Sequence, residues 1–202
     1  MKIKLLALIL AFTALPTFAG SGSIGVTSDY IWRGVSQTSG SSAIQMGYEL
    51  ESNGLFGGVW GSQVDFGADD DATLEYDFYG GYKLDISDKV SVAIGAIQYN
   101  WDKGYDDVEE AFLKVDVGMF SVGHYVTLGD SDKDFTSLGM KLPFINFADV
   151  SVEHGRHDED NDFTALRVSK EFKNVVVDMF VMSEARQGQF MDHAAFSVNY
   201  RF

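Results

Sequence analysis

Cysteine is absent from the 202 residues, proline occurs only twice, and beyond residue 20 no apolar run is long enough to cross a bilayer as a helix. Without cysteine the chain has no disulfide framework and no paired-thiol metal motif, although the same absence fits many kinds of protein. Without a spanning helix, membrane residence requires a closed β-barrel, the other architecture that satisfies every backbone hydrogen bond inside lipid. Basic residues are also scarce, 15 Lys and Arg against 30 Asp and Glu, for a formal charge of −15. That balance argues against nucleic acid or an anionic membrane surface as a partner. No G-x-S-x-G elbow and no HExxH pair occurs, so these signatures of hydrolases and zinc proteases are missing.

What is present begins at the N-terminus. Lys2 and Lys4 precede the apolar run LLALILAFTAL, and Thr17-Phe18-Ala19 then places small residues where a signal peptidase reads them. These features predict a secretory signal peptide over residues 1–19 and a single domain over residues 20–202. Losing Lys2 and Lys4 takes the formal charge from −15 to −17.

From residue 20 onward, segments of roughly ten residues alternate apolar and polar side chains, separated by Gly, Asp, Asn and Ser clusters, with no convincing helical period. About twelve such segments can be counted. The first is read as Ser23 to Arg33, with Ile24, Val26, Tyr30 and Trp32 opposed to Thr27, Asp29 and Arg33. The clearest sets Leu74, Tyr76, Phe78 and Tyr82 against Glu75, Asp77, Tyr79 and Lys83. In the segment from Val90 to Tyr99 the parity changes near Ala96, which suggests a bulge. The last segment, HAAFSVNYRF, puts Ala194, Phe196, Val198, Tyr200 and Phe202 on one face. A terminal strand of this kind ending in Phe resembles the closing strand of bacterial outer-membrane barrels, where that ending serves as the assembly signal.

A soluble sandwich would show the same alternation with its apolar faces inward. The connections separate the two cases. Taken alternately, one set holds about fifteen of the acidic residues and the other about four, the latter being tight links such as Glu51 to Gly54 and Lys170 to Asn174. Long acidic loops at one end and short turns at the other are the asymmetry of an outer-membrane barrel. The fold expected is therefore all-β: a closed, antiparallel, up-and-down transmembrane β-barrel of about 12 strands, in the bacterial outer membrane. Aromatics fit interfacial girdles, with Tyr48, Tyr82, Phe120, Tyr200 and Phe202 near the periplasmic ends and Tyr30, Trp32 and Tyr76 near the outer ends.

The run from Ser28 to Thr38, S-D-Y-I-W-R-G-V-S-Q-T, resembles the opening motif of the TorF-type porin family of proteobacteria. The likeness extends over the mature length through strand rhythm and the terminal Phe. It implies an outer-membrane barrel with a pore function, and it supplies neither a substrate nor catalytic residues. On residue chemistry alone, Tyr30 and Trp32 are expected to face lipid at the outer rim. Asp29 and Arg33 are expected on the lumen side, paired with each other or with a neighbour, and Gly34 opens the loop. Such a segment reads as a clasp at the rim, or as a solute-selecting element.

The polar faces predict a lumen lined by Asp29, Arg33, Glu49, Glu75, Asp77, Lys83, Lys114, Asp116, Lys141, Asp149, Glu153, Arg167, Asp178 and Arg201. Twelve strands fall between a packed eight-stranded interior and an open porin channel, so either a narrow pore or a plug of salt bridges fits. No connection is expected to be long enough to fold inward as a constriction. The acidic loops would draw cations to the mouth. Asp130, Asp132 and Asp134, and likewise Asp158, Asp160 and Asp162, alternate as at the start of a calcium loop but lack the Gly after the third acid and a well-placed closing Glu, leaving loose divalent binding between lipopolysaccharides as the alternative to solvated charge. The reading is a porin-like channel for small polar solutes, narrow and weakly cation-preferring, with no enzyme activity, cofactor or metal. Its expected partners are outer-membrane lipid and lipopolysaccharide, the barrel-assembly machinery through the C-terminal strand, and small polar solutes. The alternative is a non-conducting barrel acting through its acidic outer loops. A lipid- or peptide-cleaving barrel is a third reading, and it would use His124 or His193; His154 and His157 could bind a metal, but no third ligand suggests itself beyond the loop acids.

Overall fold

The computed structural model describes residues 18–202 apart from 69, 130–133, 158–160 and 187–188. The chain runs through β1 (Ala19–Thr27), a short hairpin of β2 (Ile31–Trp32) and β3 (Val35–Ser36), and then β4 (Ala43–Ser52), β5 (Leu55–Gln63), β6 (Leu74–Ser87) and β7 (Val90–Trp101). It continues through β8 (Val108–Val117), β9 (Phe120–Leu128), β10 (Phe135–Lys141), β11 (Asp149–His157), β12 (Asn161–Phe172), β13 (Val175–Arg186) and β14 (Gln189–Arg201). All except β2 and β3 form one closed antiparallel barrel of twelve strands, each beside its predecessor, with β1 also beside β14. Among the described residues there is no helix.

Closure depends on both ends of the chain. Ile24 in β1 stands opposite Met46 of β4 on one side and Tyr200 of β14 on the other. Beyond the last paired strand residue, Gly22 and Phe202 exchange backbone hydrogen bonds of 2.8 and 2.9 Å. Both ends of the barrel chain therefore lie at the rim that also carries the tight turns. Asn53 and Gly54 make one of these turns, with φ of 50° and 82°, the left-handed pair that matches the twist of a two-residue hairpin.

The apolar dyad faces outward. Ile24, Met46, Phe78, Leu84, Ile94, Leu113, Leu138, Val181 and Phe196 are all exposed, on strands around the whole circumference. In water so continuous an apolar surface would drive association, whereas against acyl chains it is the matched surface. The girdle residues Tyr48, Tyr82, Phe120, Tyr200 and Phe202, and Tyr76 near the opposite rim, are on this outer surface.

Three sequence expectations are corrected. The irregularity in the wall lies between Asp85 and Ser87 of β6, while Ala96 sits in unbroken register between Gly80 and Ala111. Inward residues at the loop end of β7 turn apolar because a packed interior meets them there, and no bulge is needed. The first strand ends at Thr27 rather than Arg33. The chain leaves the wall at Ser28, whose N–H donates to the Phe196 carbonyl and whose hydroxyl accepts from the Phe196 N–H. Tyr30 is accordingly buried inside and does not face lipid, and Trp32 packs with it. Finally, one connection is long enough to fold inward: of residues 28–42, those up to Thr38 enter the barrel, and Ser39 to Ser42 return along its exposed rim.

Candidate functional site: a hairpin across the bore

The inward segment is held by its own side chains. Asp29 accepts hydrogen bonds from the hydroxyls of Ser36 (2.6 Å) and Thr38 (2.8 Å), and the Thr38 hydroxyl accepts from the Tyr30 N–H at 3.1 Å. Gln37 N–H donates to the Tyr30 carbonyl, and Ile31 and Trp32 pair with Ser36 and Val35. At the tip, Arg33 (φ 45°) and Gly34 (φ 95°) form the tight left-handed turn. Arginine pays some strain there, since a residue with a Cβ rarely adopts such a φ.

The strain is offset at the far wall. Arg33 forms a two-pronged ion pair with Glu110 of β8, Nη1 to Oε1 at 2.7 Å and Nη2 to Oε2 at 2.6 Å, both side chains buried. Its guanidinium lies 4.3 to 4.4 Å from the ring centroids of Trp32, Tyr125 (β9) and Phe135 (β10). The Tyr99 hydroxyl donates to the same Glu110 carboxylate at 3.0 Å. Going round the barrel from β1, strand β9 is the sixth neighbour in either direction, so the hairpin spans the bore from one wall to the opposite one.

Two apolar clusters seat the hairpin on either side. Tyr30 packs with Ala43, Val64 and Ala72, flanked by Trp32, Trp60, Phe66 and Trp101. Ile31 packs against Phe135, Phe163, Ala165 and Met182. Behind the tip, an added Cβ on Gly34 would stand 2.9 Å from the Phe163 ring, so only glycine fits this close approach.

Cavities remain on both sides of the hairpin. Toward the loop end lies one of about 240 Å³, lined by Trp32, Arg33, Glu75, Tyr99, Trp101 and Glu110 among others. Toward the tight-turn end lie cavities of about 220 Å³, beside Asp29, Arg167 and Asp178, and about 300 Å³, beside Lys114, Asp116, Lys141 and Glu153. Asp149 and Lys141 border a further recess of about 420 Å³ at the Pro143 turn.

The structure brings the residues expected to line the lumen together only in part. Asp29 and Arg33 do not pair with each other; Asp29 braces the hairpin and Arg33 crosses to Glu110. Glu75 and Asp77 are buried beside the hairpin, each with one carboxylate oxygen lacking a hydrogen-bond partner. Glu49 accepts a hydrogen bond from Tyr79. Lys83 reaches Asp85 at 3.5 Å, and Arg201 reaches Glu171 at 3.4 Å, at exposed sites near the tight-turn rim. Asp178 accepts from Ser169 and from Ser197, and Asp116 accepts from Ser91 at 3.2 Å. Arg167 stacks over Phe180, and Lys114 lies over Phe112 and Tyr125.

Sequence reasoning missed Glu110, Glu184, Tyr99 and the aromatic seat of Arg33. Extending two strands would have found the two acids. Glu110 shares its strand face with Lys114 and Asp116, and Glu184 shares one with Asp178. Outside the bore, Asp102 accepts from Thr73 N–H and hydroxyl (2.8 and 2.7 Å) and from Leu74 N–H (3.1 Å), joining two outer loops. His124 and His154 bond to Thr136 and Thr164 at exposed positions, and His193 lies 3.8 Å from Glu184. Of the two Asp triplets, Asp130, Asp132, Asp158 and Asp160 lie outside the described residues; Asp134 accepts from Thr127 N–H and Asp162 faces Arg156.

A closed antiparallel barrel, greasy outside and polar within, whose first long loop folds into the bore, has the porin-like fold of outer-membrane β-barrels. The chain belongs to the family described as "Bacterial protein of unknown function (Gcw_chp)", whose model matches residues 12–179. No curated protein matches it. Among solved structures, the chain is similar to KdgM porin, at TM-score 0.63 and 8% identity over 91% of this chain and 98% of that one. KdgM porin in complex with disordered oligogalacturonate gives the same TM-score and coverage at 9% identity. A structure from work on in-meso crystallization of membrane proteins gives TM-score 0.65 at 9% identity, covering 91% of this chain and 83% of that one. At such identities the likeness is one of fold.

Proposed function

We propose that the protein is a porin-like channel of the bacterial outer membrane, narrowed by residues 28–42, which passes small polar solutes with a weak preference for cations. The observation that carries this reading is a polar-lined, twelve-stranded bore left with cavities on both sides of an inserted hairpin. KdgM, one of the solved structures similar in fold, is a porin. The cation preference rests on the acids that crowd the loop end, among them Asp65, Asp70, Asp71, Asp102, Asp106 and Asp107, and on the buried Glu75 and Asp77 behind them. The lumen charges named from the sequence are proposed as its lining, with Arg33 acting as a latch. No catalytic role is assigned to any histidine, and no cofactor or metal is required.

Residues 1–19 are proposed as the export signal. Cleavage after Ala19 removes only one residue that β1 pairs in the wall. The C-terminal strand is proposed to engage the assembly machinery, the outer loops to meet lipopolysaccharide, and the S-D-Y-I-W-R-G-V-S-Q-T segment to ally the chain with the TorF-type porins. A second reading, a non-conducting barrel, is favoured by one observation: the hairpin is anchored to both walls. Planar-bilayer recording of the folded protein decides between them. Discrete conductance steps with reversal potentials shifted toward the cation support the channel; silence from demonstrably folded protein supports the second reading.

A further inference from the structure

We infer that the cavity on the loop side of the hairpin is a binding site for a small organic ammonium ion. The inference rests on the channel reading only for what the site would do; the site itself stands on local chemistry.

The cavity holds about 240 Å³ between Trp32, Tyr99 and Trp101, with Glu75 in its wall. Glu75 is only 3% exposed, and while it accepts a hydrogen bond from Tyr30, its Oε2 has no partner. Asp77, two residues on and on the same strand face, also has an oxygen without a partner. Arg33 also borders the cavity, but its hydrogen bonds go to Glu110 and, at 3.5 Å, to the Tyr99 hydroxyl, and its charge is matched by Glu110 rather than by Glu75 or Asp77. A buried carboxylate without a counter-charge is costly; taking up a proton relieves that cost in the empty cavity, and a guest cation relieves it when bound, so binding competes with protonation and strengthens as the pH rises.

The walls select which cation. Aromatic faces attract organic ammonium groups through their ring quadrupoles while excluding the hydration shell that a small metal ion keeps. No cluster suited to a metal ion occurs among the described residues. Trp101 Nε1 is buried and also lacks a partner, which supplies a donor for a hydroxyl or ether oxygen on the same guest. An amino alcohol satisfies both orphaned groups at once. The acidic loops outside raise its local concentration.

Folded full barrel in detergent, followed by tryptophan fluorescence, tests this directly, since two of the three Trp border the cavity. The probe is 3-aminopropan-1-ol in its ammonium form, compared with its neutral isostere propane-1,3-diol. A saturable change is expected with the ammonium and none with the diol. Glu75→Gln, which removes an unpaired buried charge and so leaves folding intact, should weaken binding by about tenfold or more. An equal response to both compounds overturns the inference, as does unchanged binding in Glu75→Gln or no response at all. Bilayer recording separates the two proposals: saturable binding in a silent barrel keeps the site and removes the channel, whereas conduction without binding does the reverse.

Discussion

Arg33 and Glu110 are 77 residues apart in sequence and meet across the barrel at 2.6 Å, the tip of an inward hairpin joined to the wall that faces its origin. Both are buried, so neither charge has water to fall back on. Breaking such a pair leaves the survivor unpaired at a cost of about 3–5 kcal/mol, far above what an exposed ion pair contributes. Arg33→Met is expected to lower the denaturant midpoint of the folded barrel and to enlarge its single-channel conductance, because the hairpin loses its far anchor. Arg33→Met with Glu110→Met should recover most of the stability while keeping the larger conductance. Equilibrium unfolding and bilayer recording on the same preparations check both halves.

Gly34 tests the hairpin without touching a charge. Its φ of 95° and the Phe163 ring behind it leave no room for a side chain. Gly34→Val should cost about 1–3 kcal/mol of local strain and free the tip in the same way as loss of Arg33. The expected signature is faster proteolysis confined to residues 28–42, with the barrel itself still protected.

How much of this was legible in the sequence follows from what a period of two can encode. Leu74, Tyr76 and Phe78 against Glu75 and Asp77 fix which side of β6 meets lipid, and tight turns such as Asn53-Gly54 leave consecutive strands no option but to be neighbours. Strand count, order and closure follow. The hairpin does not, because Ile31, Trp32 and Arg33 are extended whether they belong to the wall or to a separate pair of strands, and alternation is identical in both. The break at Ser28 is a tertiary fact, set by Phe135, Phe163 and Met182 forming a seat for Ile31 on strands more than a hundred residues away. Those inward aromatics also explain why the polar faces read poorly at the loop ends of β7 and β8, where Tyr99, Trp101 and Phe112 point inward and break the expected pattern.

Asp102 makes the outer loops acid-sensitive. The Thr73 N–H, then the Thr73 hydroxyl and the Leu74 N–H, hold its carboxyl at about 2, below the ordinary 3.8. A depressed value means the ionised form is favoured by folding, so the contribution is complete above about pH 4 and is lost as the pH falls toward 2. The Thr73 and Leu74 amides should be protected from hydrogen exchange at pH 5 and lose that protection factor near pH 2. In Asp102→Ala they should be unprotected at both.

The outward face makes the sharpest demand on the fold. Ile94 is 56% exposed and lies near the middle of β7, between Tyr82 and Leu113 on the neighbouring strands, both also exposed. If acyl chains cover this surface, Ile94→Arg places a cation against hydrocarbon at a level between the Tyr82 girdle and the bilayer centre, and should destabilise the barrel in lipid vesicles by about 1–4 kcal/mol. Ser137→Arg, on an inward position that borders the cavity with Lys114 and Glu153, should change folding stability little and alter ion selectivity instead. A soluble sandwich would give the same order of stabilities, since Ile94 would lie in its core and Ser137 in solvent, but Ser137→Arg would then move no reversal potential. Unfolding free energies of the two variants in the same vesicles, set beside their reversal potentials, therefore test both the direction in which the strands face and the polar bore they enclose.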